Sequence, residues 1–283
     1  MRARAGRWVM RWRPSNPSMQ ASAAIFVAIG FVVVAGIVWL PDPNQQNLEA
    51  AFSPPLSAGH ILGTDALGRD VFSWIASGMR TALIVSMAVV FASAVIGSII
   101  GLVAGYIGGA LDALLMRLVD LQLAVPPILL FVTVAVVVGS SLESLVVLLS
   151  AVGWVPYARV VRSKILSERE RSYVAAARLA GATHREVVFT HLARSAASLI
   201  VVLASAHAGF VILWESGLSF LGLGLQPPLV SLGFIIALGR QYLMNAWWVV
   251  TLPGTAIVLL VLAFNLLGDA LRDRFSLDVG LVE

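Results

Sequence analysis

Residues 82–104 read ALIVSMAVVFASAVIGSIIGLVA, an apolar run that contains no charged residue. A helix of this length reaches about 34 Å, which exceeds the roughly 30 Å thickness of a bilayer's hydrocarbon core. A run this long and this apolar predicts a helix that crosses a membrane rather than the core helix of a water-soluble domain. We therefore place the chain among integral membrane proteins.

Further apolar runs lie on both sides of this segment, at about residues 21–40, 121–139, 145–161, 196–213 and 248–268. The composition agrees with them, since 59% of the 283 residues are hydrophobic and 12% are charged. An ordinary soluble domain has about 45–50% apolar and about 25% charged residues. The sequence predicts an all-α integral membrane protein with six transmembrane helices.

The basic residues indicate how the helices are oriented. Sixteen of the nineteen arginines and lysines lie in the two terminal tails and in alternate loops, with eight of them in residues 159–194. Cytoplasmic loops of membrane proteins carry this excess, so both termini and the 159–194 loop are expected in the cytoplasm. The arginines form no stripe with interleaved aromatic residues, and nucleic-acid binding is not predicted.

The first apolar run follows five N-terminal arginines, which is also typical of a signal peptide. It is longer than the apolar region of most signal peptides and ends in Trp39-Leu40-Pro41-Asp42-Pro43. That ending lacks the small residues of a cleavage site. We therefore expect the run to remain attached as a membrane anchor.

Several kinds of chemistry are excluded by the residue types present. The chain has no cysteine, so it can form neither a disulfide nor a thiolate metal site. Its single lysine, Lys164, lies between Ser163 and Ile165 and cannot belong to a G-x-x-x-x-G-K-[ST] phosphate loop. The histidines are too scattered for an H-E-x-x-H motif. We expect no catalytic residue, metal site or cofactor in this chain, and any ATP must be bound by another subunit.

Residues 172–192 read SYVAAARLAGATHREVVFTHL, the pattern of a helix, a turn and a second helix. Ser172 is expected to cap the first helix and Gly181 to end it, while Thr183 with Glu186 forms a capping box for the second. An arginine-rich cytoplasmic loop would explain the charges without further function. It would not explain the alanine row around Tyr173. A large side chain there contributes about 1.5–3 kcal/mol if it is fully buried, so we expect a soluble protein to dock on this segment.

Four motifs in the sequence resemble those of one protein family. Residues 173–182, YVAAARLAGA, resemble the EAA signature of ABC importer permeases. Residues 60–72, HILGTDALGRDVF, look like the external segment after the first helix in C-type subunits of dipeptide, oligopeptide and nickel permeases. Residues 215–228, ESGLSFLGLGLQPP, look like the same family's last external loop, and 252–254 with 262–273 match its final helix. The resemblance extends from about residue 11 to residue 278.

The resemblance implies a type I importer permease bundle with cytoplasmic coupling helices, in a bacterial inner (plasma) membrane. This subunit would pair with a second homologous permease, with two cytoplasmic ATPase subunits that bind ATP and Mg, and with an external substrate-binding protein. Its regions would be an N-terminal tail, first helix and external segment (1–78), a transmembrane core (79–270) and a cytoplasmic tail (271–283). The ATPase-docking residues would be Tyr173, Ala176, Ala177, Arg178, Gly181, Ala182 and His191.

The chain departs from the family pattern at three places. Ala175 stands where many members have the glutamate of the EAA motif. Residues 193–195 read ARS where the family usually has Leu-Pro-Asn, and Leu232 replaces a frequent tryptophan before Gly233. The missing proline leaves open the angle at which the loop enters the fifth helix.

Polar residues outside the loop have alternative interpretations. Asp65, Arg69 and Asp70 would either contact the binding protein or stabilise a helix through a cap at Thr64 or Asp65 and an i,i+4 ion pair, and we favour the structural role. Glu143 and Glu215 are expected at the membrane edge. Mid-membrane His207 is either a hydrogen bonder between helices or a pathway residue. Gly97, Gly101 and Gly105, four residues apart, are expected to allow close helix packing.

Peptides are the cargo that the resemblance favours, with a nickel chelate or a glutathione-like compound as alternatives. A stand-alone secondary carrier is a remote alternative, since such carriers place carboxylates near the membrane centre and the spans here contain almost none. A membrane enzyme lacks the metal-ligand spacing it would need. Co-purification with ATPase subunits would separate a permease from a carrier.

Overall fold

The computed structural model describes residues 17–39, 41–139 and 141–279, and the five N-terminal arginines used for the orientation argument lie outside them. Within these residues the chain forms helices and no β-strand. We number ten helices in chain order: α1 Pro17–Val38, α2 Val71–Ile107, α3 Gly109–Ala124, α4 Pro127–Val138, α5 Leu142–Arg169, α6 Ser172–Leu179, α7 His184–Glu186, α8 Ala193–Phe220, α9 Leu232–Gly239 and α10 Trp248–Val279.

Five of the predicted spans are single continuous helices, namely α1, α2, α5, α8 and α10; the last four include their apolar runs, and α1 covers residues 21–38 of the run predicted at 21–40. The helices are longer than the apolar runs. Polar residues at the ends of each run can remain helical because water or lipid headgroups solvate their side chains. Helix α2 has 37 residues, about 56 Å of helix, and must project past the hydrocarbon core.

The third predicted span, residues 121–139, is wrong as a single helix. The helix is interrupted at Pro126 and Pro127, and the axes of the flanking helices α3 and α4 are bent by 82° relative to each other. Proline lacks an N–H for the helical ladder and disfavours helical backbone in the residue before it, which explains the extended Val125. If the bent pair counts as one span, the described residues contain six spans.

Helices α2 and α5 pack together over most of their length, with glycines at the contact. A Cβ atom added to Gly101 would lie 2.5 Å from the carbonyl oxygen of Ala158, and one added to Gly105 would lie 2.9 Å from the Cβ of Ile165. Gly97 is equally crowded by the backbone of Trp154. The prediction of close helix packing at these glycines is confirmed.

A second set of contacts joins the remaining helices. Helix α10 packs against α1, α8 and α9, and the hydroxyl of Ser22 in α1 donates to the carbonyl oxygen of Ala263 in α10 at 3.0 Å. The largest hydrophobic core lies among α1, α2, α5, α8, α9 and α10, and it includes Trp74, Ile212 and Leu260. Both region boundaries expected from the sequence, 78/79 and 270/271, fall inside helices α2 and α10.

Candidate functional site

The 172–192 segment folds as two short helices with a tight turn between them. Gly181 has a φ of +89°, and the amides of Gly181 and Ala182 donate to the carbonyl oxygens of Arg178 and Ala177, both at 3.0 Å. These bonds form a Schellman end, which requires a residue that tolerates positive φ. The predicted end of the first helix at Gly181 is confirmed.

The start of each helix follows different chemistry. Thr183 and Glu186 form the predicted capping box, in which each side chain accepts from the other residue's backbone amide. The prediction that Ser172 caps α6 is wrong, because Arg171 occupies the cap position and Ser172 is the first helical residue. The extended residue that precedes α6 is Arg171, one residue before the predicted Ser172. The amide of Arg171 bonds the carbonyl oxygen of Glu168 at the end of α5.

A compact apolar cluster anchors the segment to the bundle. Val174 of α6 and the π-helical turn Val187–Leu192 bury side chains against α5 and α8. The buried members of the cluster are Val161, Ile165, Val174, Val187, Leu192 and Ala196. We call these six buried residues the root of the segment. Their burial holds the segment against α5 and α8, so that its outer surface has one orientation.

The outer surface of the segment carries exposed apolar side chains among polar ones. Leu179 is 91% exposed and Phe189 is 72% exposed, while Tyr173 is 39% exposed. Of the other predicted docking residues, Ala176, Arg178 and Gly181 are exposed, and Ala177, Ala182 and His191 are partly buried. Large apolar side chains this exposed on a polar segment indicate a contact surface. Sequence reasoning missed Phe189, whose only signal is that it follows two buried valines.

Polar contacts tie the segment to neighbouring helices. The Tyr173 hydroxyl donates to Oε2 of Glu168 at 2.6 Å, and the Tyr106 hydroxyl in α2 hydrogen-bonds Nδ1 of His184. Burial, followed by the hydrogen bond and negative charge of Glu168, raises the pKa of Tyr173 to about 12. The phenol therefore stays protonated, and a donor, throughout the physiological pH range. The tyrosine ring also lies 5.9 Å from that of His191, centre to centre.

The structure places the candidate contact residues Asp65, Arg69 and Asp70 close together, but it buries them in the protein. Their residues are 4%, 8% and 7% exposed. Arg69 Nη2 lies 2.6 Å from Asp65 Oδ2, and its guanidinium lies 3.6 Å from the centre of the Trp74 ring. The expected i,i+4 pair forms in a loop rather than on a helix.

The helix cap at this site also differs from the expected one. Asp70, not Thr64 or Asp65, caps α2 by accepting from the amide of Ser73 at 2.8 Å. Asp65 instead accepts from two amides of its own loop, those of Leu67 and Arg69. All three charged side chains are thus engaged within the subunit.

Two polar residues of α8 also have hydrogen-bond partners. Glu215, expected at the membrane edge, lies near the end of α8; it is 1% exposed and accepts from the hydroxyls of Ser219 and Ser216 at 2.9 and 3.3 Å. Neighbouring helices cover it, which the sequence around it does not reveal. His207 in α8 hydrogen-bonds the Tyr157 hydroxyl of α5 at 3.1 Å, a contact between two helices.

Comparison with known proteins agrees with this geometry. Residues 97–280 match the family model described as binding-protein-dependent transport system inner membrane component. The chain is 34% identical to the probable D,D-dipeptide transport system permease protein DdpC of Escherichia coli (strain K12), over 95% of this chain and 91% of that protein.

Two other relatives are equally informative. The chain is 39% identical to the di/tripeptide transport system permease protein DppC of Pseudomonas aeruginosa (strain UCBPP-PA14), over 83% of this chain and 79% of that one. It is 38% identical to a putative peptide permease protein of Brucella suis biovar 1 (strain 1330), over 93% and 90%. The fold is the all-α type I ABC permease bundle of a multi-pass membrane protein. This chain belongs to the family of binding-protein-dependent transport system inner membrane components.

Proposed function

We propose that this chain is a permease subunit of an ATP-driven importer of peptides and that the 172–192 segment docks on a cytoplasmic ATPase subunit. The chain itself is a non-catalytic component that forms half of the translocation pathway. The observation that carries the proposal is the outer surface of the segment, with Leu179 and Phe189 exposed on a root that is fully packed. Peptide cargo is supported by the relatives, which are named as peptide, dipeptide or di/tripeptide permeases.

The proposed docking surface consists of the predicted residues together with the two exposed apolar side chains of the segment. Full burial of Leu179 and Phe189 in a partner would contribute about 1.5–3 kcal/mol each. The predicted members are Tyr173, Ala176, Ala177, Arg178, Gly181, Ala182 and His191. Small alanines let a partner approach the helix closely, while the larger groups fill its pocket.

The partners follow from the same reasoning. Two ATPase subunits bind ATP and Mg, a second homologous permease completes the pore, and an external binding protein delivers the peptide. The excess of arginine on the side of the 172–192 segment supports a cytoplasmic position for it and for both termini, in a bacterial inner membrane. External residues beside the buried Asp65–Arg69 pair then face the binding protein.

The mechanism is a shift between two populations. ATP closes the ATPase pair and brings the two docked segments of the permeases together. The bundle moves from inward-facing to outward-facing because the closed pair fits the outward-facing state better. The packed root of the segment transmits this movement to α5 and α8.

Substitution of Gly181 by leucine tests the docking surface. Gly181 has positive φ and no neighbour within 4 Å of an added Cβ, so a leucine strains the backbone of the free subunit without a steric clash, and its side chain blocks a partner. We expect the complex, reconstituted in proteoliposomes, to hydrolyse ATP while its uptake of labelled dipeptide falls at least about tenfold, the equivalent of 1.4 kcal/mol.

Gly109→Leu is the matched control, because Gly109 also has positive φ and open surroundings but lies at the start of α3, outside the proposed docking surface. Both variants carry the same backbone cost, so only a partner at the 172–192 segment distinguishes them. Normal dipeptide uptake by the Gly181 variant would contradict the proposed docking surface.

A further inference from the structure

Glu168, in the last turn of α5, carries a buried carboxylate. The residue is 5% exposed. Its Oε1 atom accepts from Lys164 Nζ at 2.8 Å and lies 3.4 Å from Arg171 Nε, and its Oε2 atom accepts from the Tyr173 hydroxyl at 2.6 Å. Both carboxylate oxygens are therefore engaged, and by side chains from three different parts of the chain.

The donors come from both sides of a break in the helix. Lys164 belongs to α5, Arg171 lies in the two-residue break between α5 and α6, and Tyr173 is in the first turn of α6. Helix α6 contains no acidic residue of its own, since residues 172–179 read SYVAAARL. Glu168 thus provides the carboxylate that joins α6 to the end of α5.

The environment of Glu168 separates this cluster from an ordinary surface ion pair. Glu170, two residues later, pairs with Arg169 at 3.2 Å, but its side chain is 75% exposed, against 6% for Glu168. Exposed pairs contribute little to stability because water and salt screen them. Charge-assisted hydrogen bonds to a buried carboxylate are stronger and hold a defined geometry. The cluster at Glu168 is suited to fix the angle between two helices.

Helix α6 contributes one buried apolar side chain, Val174, to the cluster at the root of the segment, and the other buried members lie in α5, the π-helical turn and α8. The backbone of the break contributes the bond from the Arg171 amide to the Glu168 carbonyl oxygen. The Glu168 carboxylate adds the side-chain contacts that hold α6 at a fixed angle to the end of α5.

Helix α5 is the element whose movement matters for the bundle. It packs along α2 at Gly97, Gly101 and Gly105, where backbones approach closely and interfaces cannot slide without separating. A displacement of α5 is therefore passed to α2. The carboxylate lies between the surface proposed to meet the ATPase and the helix pair that would change shape.

We propose that Glu168 is a positioning residue that clamps α6 to α5 through Tyr173, so that ATPase movement at the 172–192 segment becomes movement of the transmembrane bundle. The inference rests on the proposed docking function and assigns one residue to the transmission of the movement. Glu168 does not touch the ATPase or the cargo. It acts through Tyr173, Lys164 and Arg171.

The test uses the complete complex with its ATPase subunits in proteoliposomes and measures dipeptide taken up per ATP hydrolysed. Glu168→Gln keeps the side-chain size and removes the charge, and we expect uptake per ATP to fall about tenfold. Tyr173→Phe keeps the ring that faces a partner and removes only the hydroxyl, with an expected fall of about threefold. Because the two groups share one contact, the double variant should fall no further than Glu168→Gln.

Two controls make the outcomes distinct. Glu170→Gln removes an exposed carboxylate two residues away and should leave uptake per ATP unchanged. Ala180→Cys, at an exposed position beside the docking surface in a chain that has no other cysteine, reports docking through its cross-linking to the ATPase in every background. We expect the cross-linking yield of the Glu168 and Tyr173 variants to equal that of the native background.

Each outcome decides a separate point. Uptake per ATP in both variants within about twofold of the unsubstituted complex would overturn the inference. A fall accompanied by loss of the cross-link would also overturn it, because docking rather than transmission would then have failed. If Ala180→Cys does not cross-link even in the unsubstituted background, the docking proposal itself fails. Should Glu168→Gln not assemble, the Tyr173→Phe result alone decides.

Discussion

Single glycines decide how closely two of the longest helices approach. Gly101 in α2 lies against the backbone of α5, where an added Cβ would be 2.5 Å from the carbonyl oxygen of Ala158. Real Cβ atoms do not approach an oxygen so closely, so any side chain forces the helices apart. The spacing of Gly97, Gly101 and Gly105 along one face is visible in the sequence, whereas the identity of the partner helix is not.

Gly101→Ala is expected to destabilise the protein by about 1–3 kcal/mol, the usual cost of overpacking a filled interface. Gly30→Ala in α1 is the matched control, because an added Cβ there meets nothing within 4 Å. The measurement is the midpoint of thermal unfolding of the detergent-purified protein, followed by tryptophan fluorescence. Equal midpoints for the two variants would contradict the close α2–α5 contact.

Charged residues show how far local sequence can mislead. Asp65 and Arg69 are spaced for a helical ion pair and do pair, yet the pair lies in a loop and is shielded by Trp74. Glu215 follows a long apolar run and is buried, with hydrogen bonds from serines of its own helix. In both cases the polar partners are near in sequence, whereas the burial of the group depends on how the helices pack.

Among the elements, the 172–192 segment was the best predicted because its boundaries follow local chemistry. Gly181 and the Thr183–Glu186 capping box act within a few residues, so their effects do not require a partner helix. The π-helical turn Val187–Leu192 has no such local signal. It arises where the buried Val187 and Leu192 side chains must both reach the cluster at the root of the segment.

Thr183→Ala should weaken the start of α7 by about 1 kcal/mol, because the amide of Glu186 loses its capping oxygen. Hydrogen–deuterium exchange of the peptide that covers residues 183–192 should be about fivefold faster in this variant. Thr190→Ala, an exposed threonine in the same segment, serves as the control. Identical exchange in both variants would show that the cap does not stabilise the segment.

The break between α3 and α4 illustrates the opposite case. Pro126 and Pro127 indicate a disturbance of the third span, yet prolines in membrane helices often produce only a kink. Here the two helices are bent by 82°. The size of the bend depends on what α3 and α4 pack against, including the bidentate contact of Arg162 in α5 with Asp112 in α3.

The complete bundle has two chemically different ends. The 172–192 segment lies at the end with most of the described arginines, and the residues between α9 and α10 lie at the other. Because the chain has no cysteine, one introduced at either end can be labelled alone. Leu179 and Met244, which are 91% and 94% exposed, are suitable positions.

In spheroplasts that express the chain without its ATPase subunits, we expect Met244→Cys to react with a membrane-impermeant maleimide while the membrane is intact. Leu179→Cys should react only after the membrane is permeabilised. The physical reason is that arginine-rich loops are retained on the cytoplasmic side. The unsubstituted chain is the blank, since it contains no thiol. If Leu179→Cys were labelled in intact spheroplasts, the membrane orientation would be opposite to the one predicted. That result would contradict the docking proposal.

Hydropathy, the loop distribution of arginine and the helix-end signals act along the chain, and they were enough to predict the membrane class, the single-helix spans and the turn at Gly181. The burial of Glu168 and Glu215, the loop position of the Asp65–Arg69 pair and the 82° bend depend on residues distant in sequence. Their positions follow from packing between helices. A close-packed interior places each side chain according to its neighbours, and those neighbours are known only once the helices have been brought together.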